Sequence, residues 1–396
     1  MPAPGNRPRI LTINTGSSSL KAALFECGAD FAPVATFAVE RIGDESGRAS
    51  VAIGDQPAES VATTFAVHGA ALTWLVDQMR ERDLDTRLAG VGHRVVHGGP
   101  DHVEPESIGP DLIADLRALI PIDPEHLPQA ISAIEGLGQH FPDLHQVACF
   151  DTWFHRTMPP EATTLPLPVS LDDRLLRRYG FHGLSYESIM AQLREIDPEA
   201  AMGRIVIAHL GAGASMVAVA DGQSRDTTMG FSPTGGLMMG TRPGDLDPGV
   251  LLYLLQERGL SPMAINHLIN QESGLLGVSG TSQDMRELLD REDTDDRAAK
   301  AIALYCHIAG KYLAGLTTAI RGLDTLIFTG GIGQNAPPIR ARICKPLAFL
   351  GVEIDSARNA ANESVISTNA ARVTVRVIKT DEERTLARHT AALVLA

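Results

Sequence analysis

The sequence predicts a mixed α/β protein built as two domains of one shared architecture. Its 396 residues exceed the usual size of a single compact domain. Short β-branched apolar runs alternate with amphipathic stretches of helical spacing along the chain. One hairpin pattern also occurs twice, each time opening about half of the chain.

The first hairpin is ILTINTGSSSLKAALF, residues 10–25, and the second is IVIAHLGAGASMVAV, residues 205–219. Each is an apolar run, a tight Gly/Ser turn and a second apolar run. Aligning Ile10 with Ile205 sets Asn14 against His209 and Gly16 against Gly211. Further strands are predicted at residues 90–96, 147–150, 326–329 and 373–378, and helices at 111–120, 247–257 and 296–321. Pro159, Pro160, Pro166 and Pro168 fall within ten residues. Such a stretch continues neither a helix nor a central strand, so it is read as the connection into the second half.

Composition narrows the function classes. Hydrophobic residues make up 44% and charged residues 21%, as in a globular chain with real cores. Lys and Arg total 34 against 48 Asp and Glu, a net charge of −14 that repels polynucleotides. A bound nucleotide stays compatible, because a few local cations and backbone N–H groups outweigh the overall field. Cys27, Cys149, Cys306 and Cys344 form no C-x-x-C pair and read as small buried hydrophobes in a reducing compartment. The first nine residues hold no apolar leader, and no stretch of about 18 apolar residues occurs. The expectation is a cytoplasmic protein without a membrane span.

Three glycine-rich turns follow strands, at residues 14–19 with Lys21, at 210–213, and at 329–335 ahead of a predicted helix. Each offers backbone N–H groups, and the first adds hydroxyls and an ammonium, a set that suits phosphate oxygens. An ordinary Ser/Gly hairpin turn is the competing reading of the first. Arg94 lies in an otherwise apolar strand, where it is either half of a structural ion pair or a clamp for an anionic ligand. Arg242 is a second arginine among turn formers, with Asp245 and Asp247 nearby. Asp151 ends a predicted strand, the place of a helix cap, a turn residue or an active-site carboxylate. His182 stands between glycines, as a buried, hydrogen-bonded histidine or a functional one. Thr380 and Glu383 fit a capping box, which leaves Glu382 available to a magnesium ion.

Together these segments resemble the acetate kinase family, within the larger sugar kinase/Hsp70/actin group. The carriers are ILTINTGSSSLK (10–21), VGHRVVHGG (91–99), CFDTWFHRTMPPEA (149–162), RRYGFHGLS (177–185), GLMMGTRPGDLDPG (236–249), GGIGQN (330–335) and TDEE (380–383). They span nearly the whole chain in the family's order. The resemblance implies a duplicated ribonuclease H-like core of the actin/Hsp70 type, with residues 1–153 plus 383–396 as one domain and 154–382 as the nucleotide-binding domain. It also implies an active-site cleft between the domains and assembly as a homodimer.

Residue by residue, the resemblance implies that Asn14 and Glu382 serve a magnesium site, which manganese also fits, and that Lys21 meets the nucleotide phosphates. Arg94 would hold the substrate carboxylate, with Val96 and Pro233 lining the pocket for its alkyl group. Asp151 would be the active-site carboxylate, and His182 and Arg242 would stabilise the transferring phosphoryl group. Nucleotide contacts would come from His209, Leu210, Gly211, Ala212 and Gly213, from Asp284, Met285 and Arg286, and from Gly331, Ile332, Gly333, Gln334 and Asn335. The chain departs from the family pattern at Ala212, where asparagine is usual, and at residues 122–128, a wall of the substrate pocket. Leu184 and Tyr186 replace the usual Thr and His, Trp153 a small residue, and Met285 an aromatic.

The expected reaction is reversible magnesium-dependent transfer from ATP to acetate, giving ADP and acetyl phosphate. A kinase for propionate or another short acid is the nearest alternative, since one methylene is worth only about 1–3 kcal/mol. Val96 favours acetate. An actin/Hsp70-like ATPase is the alternative from another class, but it leaves Arg94 and Arg242 without a purpose.

Overall fold

In the computed structural model, residues 7–171 and 173–396 are described, so the leader region read above lies, at residues 1–6, outside the described residues. The chain divides into two compact units, one running to Trp153 and including Asp381–Ala396, the other Phe154–Thr380.

The first unit is organised by β1 (Arg9–Thr15), β2 (Ser19–Glu26), β3 (Ala32–Glu40), β4 (Arg48–Ile53), β5 (Glu59–Ala62), β6 (Leu88–Val95), β7 (Glu106–Ser107) and β8 (His145–Phe150). They form one sheet in the order β5-β4-β3-β2-β1-β6-β8-β7. β1 to β5 run as an antiparallel meander, while β6 lies parallel to β1 and β8 parallel to β6. Alternate side chains of β1 face opposite sides of the sheet. Leu11 and Ile13 pack with Leu72, Leu75 and Met79 of the helix His68–Glu81 and with Ala133 and Leu137 of the helix Leu127–His140. Ile10 points the other way, onto Ala387 and Ala391 of the last helix, Glu382–Val394.

The second unit contains β9 (Arg204–Leu210), β10 (Ala214–Ala220), β11 (Gln223–Thr227), β12 (Thr325–Thr329) and β13 (Thr374–Val377), in the order β11-β10-β9-β12-β13. β9 to β11 are antiparallel, and β12 and β13 continue parallel to β9. The order and directions match β3-β2-β1-β6-β8, so the ribonuclease H-like core is present twice. Tyr186, Ile189, Met190 and Leu193 recur at helical spacing on the helix Gly183–Ile196 and pack against Ile205, Ile207, Val217, Val219 and Ile327.

Both hairpins and all four isolated strands form where the sequence places them, as do helices at Pro110–Ala118, Pro248–Gln256 and Asp296–Ala319. Three local readings are corrected. The turn at residues 329–335 is followed by a helix as expected, Pro337–Cys344, but is itself helical rather than an open turn, over Gly330–Asn335. Gly330 is required there because its φ is +76° and a Cβ would lie 2.6 Å from Leu210 O. The proline-rich connection includes one helical turn, Pro160–Thr163, where Pro160 sits at the first helical position and gives up no needed N–H. Cys149, Cys306 and Cys344 are buried as expected, but Cys27 is only half-buried because it follows β2 at the sheet's end. Among the described residues, no helix is long and apolar enough to cross a membrane.

Candidate active site

In the first unit, three neighbouring parallel strands bring side chains together at their carboxyl ends, the usual site location in α/β sheets. Asn14 is near the end of β1, Arg94 is the penultimate residue of β6, and Asp151 follows β8 directly. The N–H of Asp151 donates to Val95 O at 3.0 Å, which extends the sheet by one bond and fixes where its side chain leaves the strand. Arg94 Nε donates to both Asp151 carboxylate oxygens at 3.1 Å, and Nη2 donates to Oδ2 at 2.5 Å. Arg94 Nη1 donates to Asn14 Oδ1 at 3.1 Å.

The Asp151 side chain is 1% exposed and that of Arg94 18%. Burial alone would pull the guanidinium down, but the adjoining Asp151 carboxylate more than reverses this and holds Arg94 above the ordinary arginine value. The structural ion pair is therefore real, and it does not use up the arginine. A guanidinium has five N–H donors. Nε, one hydrogen of Nη2 and one of Nη1 are engaged, leaving one on each terminal nitrogen, the number a carboxylate accepts in a two-point pairing. Val96, the next residue but one, is buried.

Glu382 opens the last helix, but the cap is not the one read from the sequence. Asp381 is the N-cap, and its carboxylate accepts from Arg384 N at 3.0 Å, whereas Thr380 Oγ1 is buried without a partner. An aspartate outcompetes threonine because it is a stronger acceptor beside the helix N-terminus. Glu383 is thus one position too early to close a capping box. Burial pushes the Glu382 carboxyl up to about 7; Arg94 and Lys21 oppose that shift, and Asp151 and Glu383 reinforce it. A carboxylate crowded by other carboxylates is a natural partner for a divalent cation. Glu382 and the second lone pair of Asn14 Oδ1 are hard oxygen donors of the kind that suits a divalent cation when phosphates supply the remaining ligands. Among the described residues, no group of three or more His, Cys, Asp and Glu makes a metal cage on its own. Lys21, opposite Asn14 across the hairpin, is exposed.

In the second unit, a different set converges on the turn between β9 and β10. His182 caps the helix Gly183–Ile196 in a left-handed conformation, φ +61°, uncommon for a residue with a side chain. An atom at the Cβ position of Gly213 would lie 3.4 Å from both His182 Nε2 and Arg242 Nη2. An atom at that position of Gly211 would lie 3.8 Å from Gly331 N and 3.9 Å from His209 Nε2. Arg242 Nη1 donates to Pro233 O at 2.7 Å, so the buried Pro233 anchors the arginine through its backbone. The His182 and His209 rings stack with centroids 4.4 Å apart.

The glycine turns offer fewer donors than their composition implies. Gly211 N donates to Gly213 O at 3.0 Å, and Gly16 N donates to Ser19 O at 2.8 Å. Gly331 and Asn335 are exposed, Ile332 and Gln334 half-buried and Gly333 buried, while Ala212 is exposed and Leu210 buried. Asp284 caps the helix Met285–Arg291 and pairs with the exposed Arg286 at 3.0 Å, and Met285 is buried.

Sequence reasoning assigned no supporting role to four residues that the structure places behind the site. Ser215 Oγ lies 2.8 Å from His182 Nδ1 and also contacts the Tyr186 hydroxyl, while Ser185 Oγ lies 2.8 Å from His209 Nδ1. Arg340, fully buried, donates to Gly333 O at 2.9 Å and Gln334 O at 2.8 Å and so anchors the glycine-rich helix. The available signal was polarity inside apolar segments, as for Ser215 in β10.

The sequence matches the Acetokinase family over residues 9–388. It is 43% identical to an acetate kinase of Methylocella silvestris, over 97% of this chain and 98% of that protein. A propionate kinase structure from Francisella tularensis superposes with a TM-score of 0.92 at 35% identity, covering 97% of this chain and 99% of that one. An acetate kinase structure from Porphyromonas gingivalis gives 0.88 at 34% identity, covering 98% and 100%. With the duplicated core and the arginine-centred cluster described, the chain belongs to the acetokinase family.

Proposed function

We propose that this chain catalyses reversible phosphoryl transfer between ATP and acetate, forming ADP and acetyl phosphate. The observation that carries the reading is Arg94, oriented by Asp151 and still holding one N–H on each terminal nitrogen for a carboxylate. Acetate is already ionised at neutral pH, with a pKa near the ~4 of other carboxyls, so no general base is needed to create the nucleophile. Asp151 then positions Arg94 rather than removing a proton. His182 Nε2 and Arg242 Nη2 serve as donors to the equatorial oxygens of the transferring group, where charge stabilisation does most of the work. Asn14 and Glu382 would hold magnesium, which supplies charge neutralisation at the phosphates.

Similarity to both acetate and propionate kinases supports a short-chain carboxylate substrate, and the buried Val96 favours the smaller acid. Trapping acyl phosphate with hydroxylamine across formate, acetate, propionate and butyrate tests the reading. Highest kcat/KM with acetate is expected, and no trapped product with any of the four would sink it.

The chain is also proposed to work as a homodimer. The helix Pro248–Gln256 buries none of its residues, and Val250, Leu252, Tyr253 and Leu255 are 42%, 52%, 49% and 38% exposed. Apolar exposure of this kind on one helix supports an interface with a second copy.

A further inference from the structure

The hydroxyls behind His182 take no part in the function proposed above. Ser215 Oγ stands between His182 Nδ1, at 2.8 Å, and the Tyr186 hydroxyl, and both Ser215 and Tyr186 are 0% exposed. Tyr186 stands in the first turn of the helix that His182 caps, and β10 supplies the serine that meets both the ring and the phenol. The neighbouring ring is held the same way, with Ser185 Oγ at 2.8 Å from His209 Nδ1. Each imidazole therefore has Nδ1 against a serine and Nε2 toward the glycine turn, the latter 3.4 Å and 3.9 Å from the Cβ positions of Gly213 and Gly211.

Proton inventory gives this arrangement a direction. A phenol is more acidic than an alkyl hydroxyl, and its ring withdraws density from the oxygen, so it donates better than it accepts. Tyr186 then donates to Ser215 Oγ, and the single serine hydrogen is left for Nδ1. A neutral imidazole that accepts at Nδ1 carries its own hydrogen on Nε2. Stacking at 4.4 Å discourages charging both rings at once, and a His182 ring that accepts at Nδ1 is neutral by definition.

The geometry points to Tyr186 and Ser215 as positioning residues that fix His182 in its Nε2–H tautomer, aimed at the Gly211–Gly213 turn as a donor to a phosphoryl oxygen. The inference rests on the reading of His182 as a phosphoryl contact, and its test separates the two.

Tyr186→Phe removes one oxygen from a buried ring and keeps its packing. In the full-length protein it should lower kcat about tenfold, the worth of one hydrogen bond, with KM for ATP unchanged. In a His182→Ala background the same substitution should cost nothing further, because its effect passes through that ring. Equal loss in both backgrounds overturns the inference. An unchanged kcat in His182→Ala alone overturns the catalytic reading of His182 instead. Imidazole 15N spectra supply a readout independent of activity, with the His182 signal assigned by its absence from His182→Gln. Wild type should show a protonated Nε2 and a bare Nδ1, and Ser215→Ala and Tyr186→Phe should each give a mixture. A wild-type ring protonated at Nδ1 alone overturns the tautomer assignment.

Discussion

Asp151 grips Arg94 through Nε and one Nη2 hydrogen while Nη1 donates to Asn14 Oδ1, which leaves one hydrogen on each terminal nitrogen. Salt-bridge and substrate-clamp readings of an arginine in an apolar strand are usually rivals. Here the first is the means to the second, since a guanidinium has donors enough for both. Arg94→Ala would leave Asp151 buried and unpaired, so Arg94→Lys is the cleaner probe. It keeps the charge but cannot make two parallel bonds. KM for acetate should rise about 100-fold, roughly two lost charge-assisted bonds, and KM for ATP less than threefold. Equal changes in both constants would reduce Arg94 to a structural partner.

Asp151→Asn separates orientation from proton transfer. The amide keeps one acceptor but turns a donor toward a guanidinium that has no acceptor to offer. We expect kcat to fall by about 100-fold as Arg94 loses its fixed pose. The acid limb of the pH–rate profile should stay where it is in wild type. Loss of that limb in the variant would mean that Asp151 acts through its own ionisation.

His182 combines a functional side chain with a backbone conformation that favours glycine, φ +61°. His182→Gly and His182→Ala both remove the donor and should both reduce kcat by about 100-fold. They should differ in stability, with the glycine variant more stable than alanine by about 1 kcal/mol, because only alanine keeps a Cβ in the left-handed region. Urea unfolding of the pair measures this directly, and equal midpoints would show that the turn relaxes without cost.

Tyr253→Asp places a charge on the most apolar exposed helix face without touching a buried residue. Light scattering on a sizing column should report a dimer for wild type and a monomer for the variant. A wild-type monomer at micromolar concentration would remove the assigned role of this face.

What was legible in the sequence was local. The two hairpins declare themselves through β-branched runs around Gly/Ser turns, and the common offset from Arg9 to Arg204 survives as the matching first strands of the two cores. Arg94 stands out because a cation in an apolar strand needs an explanation. The supporting shell was not legible, because its bonds join distant segments. Ser215 reaches His182 from 33 positions away, and Arg340 ties residues of the glycine-rich helix to Asn359. The misplaced cap at Thr380 is a different failure. Thr380 and Asp381 both suit the position, and only the geometry of the last helix chooses the stronger acceptor.

His93 makes the first unit sensitive to acid for a reason separate from catalysis. It sits in β6, 1% exposed, with Nε2 at 2.7 Å from Gln146 Oε1. The Gln146 amide nitrogen itself donates to Ile134 O at 3.2 Å, so toward the histidine the glutamine oxygen is the acceptor and the imidazole the donor. Burial lowers the His93 pKa to about 4, and the bond to Gln146 offsets only part of that. In the unfolded chain the ring titrates near ~6.5. Above that pH the ring is neutral in both states and contributes no pH dependence. As pH falls from about 6.5 toward about 4, the unfolded chain gains a proton that the native state refuses, and stability drops by up to roughly 3 kcal/mol. Other groups titrate across the same window, so the informative quantity is the difference between wild type and His93→Gln. That substitution should cost stability at neutral pH, where a flexible amide replaces the packed imidazole ring and presents its N–H to Gln146 less well, and its cost should shrink steadily as pH is lowered toward 4.5. Denaturant midpoints at several pH values measure the gap. A gap that stays constant would mean that the native state accepts the proton and that His93 is not held neutral by burial.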